Sequence, residues 1–114
     1  MNSNMDQYKL NDESLKNVAG GNNDNPLIDE CLQCIETGIS IINNALPSAS
    51  AVDAERLNSI SSWLGSIKQA VVIGEFNAAR YCLTNIKDDL NLLANHPEGM
   101  DDAIDGVLYC LTNL

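Results

Sequence analysis

Four apolar stripes with helical spacing constrain this chain more than any other feature. Ile28, Leu32, Ile35, Ile39, Ile42 and Leu46 recur at alternating steps of four and three. Leu57, Ile60, Leu64, Ile67 and Val71 repeat the pattern, as do Ala79, Cys82 (or Leu83), Ile86, Leu90 and Leu93, and then Ile104, Val107, Leu111 and Leu114. Each set lies on one face of a 3.6-residue helix. No segment alternates with the period of two that a half-buried strand requires. Breakers separate the stripes: Leu46-Pro-Ser-Ala-Ser50, Gly74, and Asn95-His-Pro-Glu-Gly99. Start signals precede them. Asn25 and Pro26 read as N-cap and first helical residue, with Asp29 and Glu30 placed where the helix dipole favours acids. Ser50 and Asp53 resemble a capping box whose acid is one carbon short, a third helix starts near Phe76 and Asn77, and Asp101 and Asp102 favour a fourth start. The expected fold is all-α: an up-down-up-down four-helix bundle, with an Ile/Leu/Ala-rich interior and Trp63 as its one large aromatic.

The first 21 residues share no periodicity with these stripes. Leu10, Leu15 and Val18 fall on one face of a short helix that runs into Gly20-Gly21, and polar residues Asn22 to Asn25 follow. This arrangement resembles the leader of double-glycine secreted peptides, the bacteriocin-type precursors cut and exported by peptidase-containing ABC transporters. The resemblance implies that a papain-like peptidase domain grips Leu10, Leu15 and Val18 and cuts between Gly21 and Asn22. Glycine suits such a channel because it carries no side chain to collide with the walls. Tyr8 departs from the pattern, one residue off a further upstream apolar position. The implied organisation is a leader over residues 1–21, helical or disordered, and a helical-bundle cargo over residues 22–114. A Sec-type signal is not indicated, since the segment has no apolar run of seven and its lysines are outnumbered by acids. No apolar stretch of 18 residues follows either, so no spanning helix is expected.

The chain has a formal net charge of −10, from 16 acids against six bases. An acidic surface repels phosphate backbones, which argues against nucleic-acid binding. It also argues against the cationic attraction by which many small antimicrobial peptides reach anionic membranes. The stretch from Ile60 to Ile73, charged only at Lys68, is the best candidate for membrane contact, although its apolar side also reads as core.

Cys31, Cys34, Cys82 and Cys110 are expected to gather at one end of the bundle. Cys31 and Cys34 open the first helix, Cys82 is early in the third and Cys110 is late in the fourth. Three readings stay open: two disulfides, a four-thiolate metal site, or buried thiols acting as small hydrophobes. Export makes disulfides the expectation, with Cys31 and Cys34 joined separately to Cys82 and Cys110. Each bridge would close roughly 50–80 residues, worth on the order of 3–4.5 kcal/mol in the chain-entropy model. No metal site is expected, because only one Cys-x-x-Cys pair exists. His96, the only histidine, reads as a solvated loop residue at the opposite end, and Asp88, Asp89, Asp101, Asp102 and Asp105 read as solvated. No catalytic constellation emerges, so neither an enzyme nor a cofactor is expected.

The resemblance implies a secreted, bacteriocin-like protein. It is made in the bacterial cytoplasm, and its partners are the exporter and then a target-cell receptor or membrane. Two alternatives are a precursor whose cysteines, serines and threonines become thioether rings, and a cytosolic interaction bundle resembling bacteriocin immunity proteins. The regular stripes oppose the ring alternative, because such core peptides are usually short and lack a globular pattern.

Overall fold

The computed structural model describes residues 25–114. These form four α-helices: α1 (Pro26–Ala45), α2 (Ala51–Val72), α3 (Phe76–Asn91) and α4 (Met100–Asn113). A single 3-10 turn, Leu46–Ser48, links α1 to α2. No strand occurs among the described residues, and no described helix is long and apolar enough to cross a membrane.

The ends of the helices follow local chemistry. Asn25 is extended, and its Oδ1 accepts from the Leu27 amide at 2.9 Å, with Pro26 at a position that needs no donor. At α2, Ser50 Oγ accepts from the Asp53 amide at 3.1 Å. The Asp53 carboxylate does not complete the capping box. It crosses to the α3–α4 connection instead, where it accepts from the amides of Ala94 (2.9 Å) and Asn95 (3.1 Å). Gly74 closes α2 at φ +82, a conformation that costs other residues dearly, and the Glu75 amide reaches back to Ala70 O at 2.8 Å.

Helix α1 packs on both α2 and α4, α2 packs on α3, and contact between α3 and α4 is sparse. A methyl added at Gly38 would lie 3.1 Å from Leu64 Cδ1 and 3.9 Å from Ala103 Cβ; one at Gly99 would meet Ile41 Cδ1 at 3.3 Å, and one at Gly106 would meet Cys34 Sγ at 2.6 Å. Positions rising along α1 (34, 38, 41) therefore meet positions falling along α4 (106, 103, 99). Glu36 with Lys68, and Gly38 with Leu64, set the same reversed register between α1 and α2.

The core contains Ile35, Ile42, Leu57, Ile60, Leu64, Ile67, Ile86, Met100 and Leu111, all at most 1 % exposed. Each such side chain contributes about 1.5–3 kcal/mol of burial, as an upper estimate. The stripe of α2 is buried where the spacing places it, and so is that of α4 at Ile104, Val107 and Leu111, with Leu114 half-buried. In α1 the buried row is Cys31, Ile35, Gly38 and Ile42. Leu32 and Ile39 are only half-buried, because a helix held between two partners turns its midline to the angle between them. Trp63 is also half-buried and packs against the edge of the core rather than within it.

The Asp53 latch and the close α1–α4 approach are separately testable. Asp53→Asn keeps the shape but removes the charge from two hydrogen bonds, and about 1.5–3 kcal/mol of stability is expected to go with it. Gly106→Ala is expected to destabilise by about 1 kcal/mol, and Cys34→Ala in the same chain should restore most of the loss. Gly65→Ala, which meets nothing within 4 Å, should stabilise by about 0.4–1 kcal/mol. Chemical denaturation reads all four.

Candidate functional site

Gly20, Gly21 and Asn22, with the recognition residues Leu10, Leu15 and Val18, lie outside the described residues. The structure does place the four cysteines. Cys31 lies in the second turn of α1 and is fully buried, and Cys34 is half-buried one turn later with its sulfur over Gly106. Cys110 is fully buried near the end of α4, and Cys82 is buried in the second turn of α3.

Three of the four share an environment. Burial pushes the Cys31 thiol from the usual 9.0 up to about 12, with smaller contributions from Cys110 and Cys34. Burial also raises Cys34, helped by the Glu30 carboxylate. Cys110 is raised by burial, then by Glu30 and Cys34. Cys82 is not among the groups acting on these three. It sits on α3, which packs against α2 and touches α4 only sparsely. Cys31, Cys34 and Cys110 thus form one cluster between α1 and α4, and Cys82 lies on α3, two residues after the Arg80 that bonds the end of α4.

All four are free thiols, and no two sulfurs lie at disulfide distance. The expected bridges of Cys31 and Cys34 to Cys82 and Cys110 are thus not present in the fold. Buried, unionised thiols are poor nucleophiles and poor metal ligands. No group of three or more His, Cys, Asp or Glu residues suited to a metal ion occurs among the described residues.

The opposite end carries a small polar cavity of about 250 Å³, lined in part by Ser48, Ser50, Asp53, Asn95 and His96. Ser48, Ser50 and Asp53 are engaged with one another or with backbone. Ser50 accepts from the Asp53 amide, Ser48 Oγ donates to Ala45 O, and both Asp53 oxygens accept from backbone amides. His96 Nδ1 lies 2.9 Å from Asp101 Oδ1, in the first turn of α4. The run from Gly99 to Cys110 spans about 16 Å of helix rise, so no thiol stands near this histidine.

Three polar side chains join elements in ways the sequence reading missed. Asp53 is 3 % exposed. Asp89, expected to be solvated, accepts from Ser59 Oγ at 2.7 Å and lies 3.9 Å from Arg56. Arg80 donates from Nε to Leu111 O at 3.0 Å, so α3 supplies the cation that the last turn of α4 lacks. A signal existed for the two acids. Asp53 stands four residues before Leu57 and Asp89 three after Ile86, so both lie on apolar rows. Arg80 carries no such mark.

Comparison with known families, curated proteins and solved structures finds no match to this chain.

The thiol cluster makes alkaline stability diagnostic. A pKa raised in the folded state gives stability that is full below the unfolded value, near 9, and lost as pH rises towards about 12. In that window the Cys31 thiol is expected to cost about 1.4 kcal/mol per pH unit. Denaturation curves from pH 8 to 11 should show a shallower decline in Cys31→Ala than in the parent chain.

Proposed function

We propose that this chain is the precursor of an exported, bacteriocin-like protein. Residues 1–21 are its leader, recognised through Leu10, Leu15 and Val18. The cut falls between Gly21 and Asn22 during passage through a peptidase-containing ABC transporter, and the cargo is an up-down-up-down bundle over residues 22–114. One observation carries this reading: α1 is capped by its own Asn25, four residues beyond Gly21. The helical unit thus has a self-sufficient start just past the proposed cut. The reversed registers of α1 with α4 and with α2 support the bundle order. Ile60, Leu64, Ile67 and Val71 are spent on the core, which favours a receptor over membrane insertion as the target of the released protein.

A second reading is favoured by the cysteines. Four free thiols, three with raised pKa values, suit a bundle that stays in a reducing cytosol and acts by binding, as an immunity-like protein would. That reading requires an intact N-terminus.

Incubating the full chain with the peptidase domain of a double-glycine exporter, followed by intact mass, separates the two. The expected product is residues 22–114, formed slowly or not at all when Leu15 and Val18 are replaced by Ser. Gly20→Phe should block the cut and leave the thermal transition unchanged. An uncut chain, or a cut elsewhere, overturns the export reading.

A further inference from the structure

The surface holds more apolar area beside α1 and α2 than the four helices cover. A groove of about 700 Å³ runs between them, lined by Ile39 and Glu36 of α1 and by Gly65, Lys68 and Val72 of α2, and it ends at Ile73. Val72 is 56 % exposed and Ile73 72 %, an unusual pair of bulky aliphatics to leave in water. On α1, Leu32 precedes Glu36 and Ile39 at helical spacing, so a half-buried apolar row continues from the groove towards the start of the helix.

We infer that the groove is the docking site, within the same chain, for the apolar face formed by Leu10, Leu15 and Val18. Position and length both favour this occupant. The α1–α2 register, with Glu36 against Lys68 and Gly38 against Leu64, brings Val72 and Ile73 alongside the first turns of α1. Asn25, the first described residue, stands at that same end. Val18 is seven residues from Asn25, a tether reaching at most about 25 Å. Ile39, the far wall on α1, is about 20 Å of helix rise from Pro26. From Leu10 to Val18 a helix is about 12 Å long, which matches the run of α2 from Gly65 to Ile73. A segment tethered this closely is present at a high effective concentration, so modest apolar contact suffices to hold it. This docking rests on the leader reading for its apolar face and gives that face two competing partners, the groove and the peptidase.

Methyl NMR on the full chain tests the docking without any peptidase. The expected result is a set of intramolecular contacts from the methyls of Leu15 and Val18 to those of Val72, Ile73 and Ile39. They should be lost in Val72→Ser/Ile73→Ser, whose exposed positions leave the thermal transition in place, and lost equally in Leu15→Ser/Val18→Ser. Contacts seen only between labelled and unlabelled copies would assign the groove to a second chain and overturn the inference, as would no contact at all. Persisting contacts in a chain that the peptidase leaves uncut would uphold the docking and sink the export reading, so the two failures are distinct.

Discussion

The close approach of α1 to α4 governs the rest of the arrangement. Gly106 leaves no room for a side chain beneath Cys34, and Gly38 stands between Leu64 and Ala103. Small residues at a helix contact reduce the distance between axes, and here they draw the first helix against the last. That contact decides which face of α1 turns inward. Its midline becomes Cys31, Ile35, Gly38 and Ile42, so one thiol and one glycine stand where the spacing alone would have centred Leu32 and Ile39. The same rotation leaves Leu32 and Ile39 at the margin. The thiol cluster at one end and the apolar groove beside α2 are thus two results of one packing choice.

With α1 holding α2 and α4, α3 is fixed chiefly through α2, and polar groups complete its attachment. Asp53 ties the connection after α3 to the first turn of α2, Asp89 receives Ser59, and Arg80 reaches the last carbonyls of α4. Hydrogen bonds to charged groups contribute about 1.5–3 kcal/mol each where they are shielded from water. A core of this size needs such fixings, since burial alone leaves only a narrow margin over chain entropy.

Much of this was legible in the residues. Helix number, the breakers at Pro47, Gly74 and Pro97, the Asn25 and Ser50 caps and the rows of α2 and α4 all follow from local rules, because they depend on neighbours within a few positions. The errors share a different cause. The facing of α1, the edge position of Trp63 and the absence of bridges depend on which helices touch. Periodicity reports that a face is apolar, not how many partners divide it. Asp53 is instructive, since its place on an apolar row was visible while its partners, the amides of Ala94 and Asn95 some forty residues away, were not.

The state of the cysteines bears on the proposed export. A chain threaded through a narrow channel must first unfold, and a covalent bridge between α1 and α4 would join the first and last helices in a loop that no thread can pass. Free thiols leave the chain linear. Burial raises the thiols of Cys31, Cys34 and Cys110 further above neutral pH, which slows thiolate attack and so delays crosslinking while the fold persists. Each also resists ionisation only as long as it is packed, so any force that pulls α1 from α4 releases Cys31, Cys34 and Cys110 together. On the export proposal a precursor built this way would stay free of crosslinks until it has left, and its buried cysteines would first become fully available when the helices part.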